Sequence, residues 1–240
     1  MTQKIAFRLF KLFGIDVKIH ASFFLLPAVV GYLYSRAYGL EIGLRAVALV
    51  VMVFACVLAH EFSHGLKAKS YGIRVADITL YVIGGVASMQ RIPREPRLEF
   101  SIAIVGPLLN FALALILLVP LYFLFGTQAL LDPSLESWPQ TFVNLFWANI
   151  VLGLFNLVPA FPMDGGRILR SLLARRMSFA NATRISVYLG YSFAILFALI
   201  GLWKRHWMLI FIALYVYHSA SLEHDQVRYE RLTKEPEGDL

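Results

Sequence analysis

With one cysteine, Cys56, in 240 residues, the chain cannot close an internal disulfide, and the lone thiol carries no information about redox compartment. Charge is scarce as well. Only 15% of residues are Asp, Glu, Lys or Arg, against 59% hydrophobic, and the mean hydropathy is +0.68. That composition excludes an ordinary soluble domain. Acidic side chains are fewer than basic ones, 15 against 22, which leaves a net charge of +7. A pI near 9.6 would suit a nucleic-acid binder. The placement of the cations between apolar runs excludes that partner. The N-terminus also lacks a small-x-small cleavage site at the right distance, so an uncleaved first span is expected rather than a signal peptide.

What the chain does have is long apolar stretches. Windows near the roughly 20 residues needed to cross a bilayer fall at about 20–37, 43–67, 100–126, 141–159, 183–203 and 206–222. They predict an all-α polytopic membrane protein of about six transmembrane helices. The fourth window is the weakest, interrupted by Asn144, Asn149 and Asn156, and such a helix is expected to face a cavity rather than lipid. With the N-terminus inside, every Lys and Arg except Arg36, Arg45, Lys204 and Arg205 falls on the same side. The positive-inside rule then makes both termini cytoplasmic.

Residues 1–19 mix basic and apolar side chains and read as an interfacial segment leading into the core, or alternatively as a partly ordered tail. Residues 20–222 form the six-span core, and 223–240 a polar tail. Between the second and third spans, residues 76–91 are rich in β-branched and aromatic side chains. They break at Gly84-Gly85 and are too short to span, which predicts a small membrane-associated β-hairpin or sheet. Residues 132–140, without a basic side chain, read as an external loop.

Chemistry enters at His60-Glu61-Phe62-Ser63-His64, at the end of the second apolar run. On a helix His60 and His64 fall about 40° apart on one face and about 6 Å apart in rise, which two imidazoles can bridge to a single zinc ion. Glu61 lies beside that pair, where it could take a proton from the attacking water. In a soluble helix this pattern could be an exposed polar turn, but here no polar face exists for it to join.

Catalytic zinc usually has three protein ligands. Cys56 lies about 12 Å in rise from His64, too far to share an ion. Asp164 follows the fourth span within Asn156-Leu-Val-Pro-Ala-Phe-Pro-Met-Asp164-Gly-Gly-Arg167, where prolines stop the helix and two glycines permit unusual backbone angles. It reads as the third ligand, with a helix cap as the alternative. His20, His206, His218 and His224 are not at ligand spacing and read as interfacial or core histidines. The edge near Gly84 and Gly85 could take an extended substrate by strand addition, or the pair could form an ordinary tight turn. Gly106-Pro107, in the third span, reads equally as a kinked, close-packed helix.

His-Glu-x-x-His in an early span, followed by Asn-x-x-Pro-x-x-Pro-x-Asp-Gly-Gly-Arg after a later one, resembles the site-two protease family of intramembrane zinc metalloproteases. The resemblance runs from about Gly14 to Arg170 and takes in the Gly84-Gly85 hairpin and Gly106-Pro107-x-x-Asn110. It implies that His60, His64 and Asp164 bind Zn2+, that Glu61 is the general base, and that Asn156 assists the transition state. It further implies cleavage of transmembrane-protein substrates in a prokaryotic cell membrane. The compact six-span type, without PDZ or CBS domains, is the expected subgroup. A non-proteolytic metal-binding membrane protein or zinc transporter is the competing class. Against it, Glu61 has an obvious task only in hydrolysis, and no inverted repeat or second ligand set is evident.

Overall fold

The computed structural model describes residues 6–89 and 94–232. The element order is β1 (Ala6–Leu12), β2 (Ile15–His20), a 3-10 turn (Ala21–Phe24), α1 (Leu25–Tyr38), α2 (Leu40–Ser70), β3 (Val75–Tyr81) and β4 (Gly84–Met89). The helices α3 (Pro96–Leu130), α4 (Trp138–Asn156), α5 (Asp164–Leu173), α6 (Phe179–Lys204) and α7 (Trp207–Leu232) follow. Each of the six apolar windows falls on a helix. Three of these, α2, α3 and α6, are long and apolar enough to cross a membrane by length and composition. α1 has only 14 residues because the 3-10 turn takes the start of its window, and α4 carries the three asparagines. α5, polar on one side, lies between the fourth and fifth windows.

The chain divides into two compact units: 6–89 with 105–154, and 94–104 with 155–232. In the first, a four-stranded sheet of order β1-β2-β3-β4 pairs β1 with β2 and β3 with β4 antiparallel, and β2 with β3 parallel. Of residues 1–19, expected as an interfacial approach, 6–19 therefore belong to two strands and their turn, and 1–5 lie outside the described residues. The parallel pairing needs a long crossover, which α1 and α2 provide. Gly31 and Gly43 let those helices approach closely: a Cβ at 31 would sit 2.6 Å from Val47 Cγ2, and one at 43 only 1.9 Å from Ser35 Oγ. Phe23, Phe54 and Leu80 are buried together, seating the sheet on α2. Ala114, Leu121, Val143 and Phe146 join α3 to α4.

The hairpin expected at 76–91 is present as β3 and β4, but its turn is Val82-Ile83; Gly84 and Gly85 already belong to β4, opposite Tyr81 and Leu80. Gly84 has φ 135°, a conformation L side chains avoid, so it serves the strand's entry from the turn.

Polar contacts fix the sheet's register. Lys18 Nζ donates to Asp77 at 3.0 Å, and the Thr79 and Ser88 hydroxyls donate to its other oxygen at 3.2 and 3.1 Å. Partial burial pushes the Asp77 carboxyl up, but the hydrogen bonds from Lys18 and Ser88, the Lys18 charge and the Thr79 hydrogen bond together hold it below its ordinary value. A lowered carboxylate contributes stability above its unfolded pKa of about 3.9, lost as pH falls through the folded value. Asp77→Asn is expected to cost about 1 kcal/mol near neutral pH, a modest figure because Lys18 is partly solvated. Thermal unfolding in detergent should show the gap between wild type and variant closing below about pH 4; a gap unchanged there would rule out this carboxylate.

In the second unit, α6 and α7 form a helical hairpin. Phe161, Val187 and Ala220 make one buried cluster, and Met163, Ala194 and Val216 another. α7 continues to Leu232, so the start of the expected polar tail is helical; 233–240 lie outside the described residues.

Candidate metal centre and active site

α2 carries the His-Glu-x-x-His residues on its last two turns. His60 and His64 are both buried, and their Nε2 atoms stand 3.1 Å apart. Two imidazoles on a tetrahedral zinc, with bonds of about 2.0–2.1 Å, would hold their nitrogens at roughly 3.3 Å, so the pair is spaced for one ion. Room beside them comes from α3. A Cβ on Gly106 would lie 2.3 Å from His64 Nε2 and 2.6 Å from His60 Cε1, so glycine is required by space, not by backbone angle. Asn110, one turn further along α3, places Oδ1 2.5 Å from His60 Nδ1. The i,i+4 spacing of Gly106 and Asn110 is the sequence signal that could have matched this face of α3 to the histidine pair.

Glu61 is half-buried, and its close neighbour is β4: a Cβ on Gly85 would come within 2.8 Å of Glu61 Cγ. The close approach expected at Gly85 for a substrate is thus already made by the carboxylate's own stem. Gly84, by contrast, has open space around its Cβ position. Asn149, expected to face a cavity, is fully buried and bonded to Asn110 at 3.1 Å. Asn144 bonds the carbonyl of Gln140.

Asn156 and Asp164 belong to the second unit. Asn156 ends α4 and is half-buried. Asp164 is the first residue of α5; the N-cap position is Met163, which makes no side-chain cap bond. The loop between them doubles back on α5. A Cβ at Gly165 would lie 2.2 Å from the Val158 carbonyl oxygen, and one at Gly166 2.7 Å from Phe161 N. Neither glycine has positive φ, so the pair supplies close packing rather than unusual angles.

Arg170, one and a half turns beyond Asp164, anchors α5. Its Nε donates to Glu99 at 2.9 Å, it pairs with Glu223 of α7, and its guanidinium lies 4.8 and 4.7 Å from the Phe161 and Phe179 rings. Burial would lower its pKa, but the two carboxylates outweigh that and raise it, keeping the cation charged. Nothing in the sequence pattern marked this cluster.

Residues 48–197 match the profile described as peptidase family M50. The chain belongs to this family. A zinc metalloprotease of Methanocaldococcus jannaschii is 36% identical over 95% of this chain and 63% of its own length. Stage IV sporulation protein FB of Bacillus subtilis is 27% identical over 70% of this chain and 53% of its own. The solved site-2 protease from M. jannaschii superimposes with a TM-score of 0.65 at 35% identity, covering 91% of this chain and 95% of that one. The resemblance read from the two motifs is thereby established, as is the mostly helical fold with its small sheet. The chain spans less than two thirds of the length of the curated relatives it matches first.

Proposed function

We propose that this M50 member is an intramembrane zinc metalloprotease hydrolysing peptide bonds within or near the transmembrane segments of membrane-protein substrates. The observation that carries the reading is the pair of buried imidazoles with Nε2 atoms 3.1 Å apart, next to Glu61, on a helix otherwise apolar enough to span a bilayer. The names of the M. jannaschii relatives, a zinc metalloprotease and a site-2 protease, support a protease over a transporter. The apolar windows and the one-sided Lys and Arg support six spans with both termini cytoplasmic, and the resemblance to the compact site-two proteases supports a prokaryotic cell membrane.

His60, His64 and Asp164 would hold the ion: two neutral nitrogens and one carboxylate suit zinc and leave a position open. When bound, zinc acts as a Lewis acid, making water acidic near neutral pH and polarising the scissile carbonyl. Glu61 takes the proton as the water oxygen bonds to the carbonyl carbon, then passes it to the amine nitrogen as the C–N bond breaks. The Asn156 side-chain amide donates to the oxyanion. β4, the edge of the described sheet, offers unpaired main-chain groups near Gly84 and Gly85 for an extended substrate, replacing bonds its helix gives up.

The test is cleavage of a transmembrane substrate by purified protein with and without a chelator. Asp164→Ala is expected to lose zinc retention and cleavage together. Full zinc content and activity in that variant would move the third ligand elsewhere, and cleavage indifferent to chelation would end the metalloprotease reading.

A further inference from the structure

Inside the first unit a line of buried amides crosses from α4 through α3 to α2, and the reaction proposed above makes no use of it. Asn110 and Asn149 are 1% and 0% exposed. Asn149 Nδ2 donates to the Leu145 carbonyl at 2.9 Å and lies 3.4 Å from Cys56 Sγ. Asn110 Nδ2 donates to Asn149 Oδ1 at 3.1 Å, and Asn110 Oδ1 is 2.5 Å from His60 Nδ1.

The backbone carbonyl sets the direction of the whole line. A carbonyl oxygen only accepts, so Asn149 must turn its NH2 toward Leu145 and its Oδ1 toward Asn110. Asn110 must then give its NH2 to Asn149 and its Oδ1 to His60. An amide oxygen also only accepts, so the hydrogen sits on His60 Nδ1, and Nε2 of the neutral ring keeps its lone pair. Asn110 alone could not enforce this. Its amide is nearly symmetric in shape, and flipped it would offer NH2 to Nδ1 and place the hydrogen on Nε2.

We infer that Asn110 and Asn149 are positioning residues: anchored on the Leu145 carbonyl, they fix the tautomer and ring orientation of His60 so that Nε2 faces a metal. The inference rests on the zinc reading only for its consequence; the tautomer is a property of the metal-free protein.

The experiment compares wild type, Asn149→Ala and Asn110→Asp, each confirmed folded by thermal unfolding. Selective 15N labelling of histidine reports the His60 tautomer in metal-free protein, and chelator competition reports zinc affinity. Wild type should show Nδ1–H alone. Asn149→Ala frees the Asn110 amide, should give a mixture of tautomers, and should weaken zinc by about 10–100-fold, the usual effect of removing outer-shell support. Asn110→Asp presents only acceptors, so it should keep Nδ1–H and hold zinc within about tenfold of wild type despite losing its bond to Asn149. A cycle closes the test: added to Asn110→Ala, Asn149→Ala should cost no further zinc affinity. An Nε2–H wild type, an unmixed tautomer in Asn149→Ala, or additive losses in the cycle would overturn the inference. Failure of wild type to bind zinc, with the tautomers as expected, would sink the zinc reading and leave the positioning intact.

Discussion

Glu61→Gln should retain zinc at wild-type stoichiometry and lose about 10²–10⁴-fold in kcat, the range that proton transfer by a positioned side chain contributes. Glutamine keeps the stem. Space is tight where the stem passes Gly85, since a Cβ added there would come within 2.8 Å of Glu61 Cγ, and Cγ is common to both residues. The substitution therefore leaves α2 against β4 as before and removes only the basic oxygen. Neither imidazole changes, so metal content should not follow activity down. The two readouts are zinc content by elemental analysis and cleavage of a transmembrane substrate under saturating conditions. A variant within tenfold of wild type would take proton transfer away from Glu61, whereas joint loss of metal and activity would make it a structural residue.

The helices were legible because lipid-compatible runs announce themselves over some 20 residues whatever surrounds them. The strands of 6–20 were less so. Basic and apolar residues mixed at short period suit either an interfacial segment or a strand, and what decides is β3, whose Ile78 pairs with Val17 across two intervening helices. The end of α7 was missed for a different reason: hydropathy measures where a helix leaves lipid, and Glu223 onward changes polarity without breaking the helix. At the hairpin, glycine was read as the turn, while β-branched Val82 and Ile83 make it and Gly84 supplies the positive φ that follows.

In the proposed site, the pairing of His60 with His64 was legible because metal chemistry demands both residue type and i,i+4 spacing, and their Nε2 atoms do meet, at 3.1 Å. Their surroundings were not. The bond from Asn110 to Asn149 joins residues 39 apart on two helices, and that to His60 spans 50. A polar residue in an apolar helix says that some partner exists, but not which one. The Arg170 cluster is hidden for the same reason, with its two carboxylates contributed by α3 and α7.

Gly106→Ala tests whether α3 shapes the metal site. The added methyl would stand 2.3 Å from His64 Nε2 and 2.6 Å from His60 Cε1, both far inside van der Waals contact. The His60 ring cannot simply retreat. That ring is tied at 2.5 Å to Asn110, one turn beyond Gly106 on α3, so pushing it away strains the bond that orients it. The remaining relief is for the His64 ring to turn or for α3 to shift from α2, and overpacking a close contact of this kind costs about 1–3 kcal/mol. If that cost falls on the geometry of the nitrogens, zinc affinity drops by roughly 5- to 150-fold, since 1.4 kcal/mol is a factor of ten. Cleavage should fall with it at limiting zinc and recover in part when zinc is raised. Leu108→Ala, at a position 55% exposed on α3, is the control and should leave zinc affinity within about twofold, as surface substitutions usually do. Equal affinities for wild type and Gly106→Ala would mean that α3 does not bound the site, and a loss that excess zinc cannot relieve would place the damage in substrate access rather than in the metal.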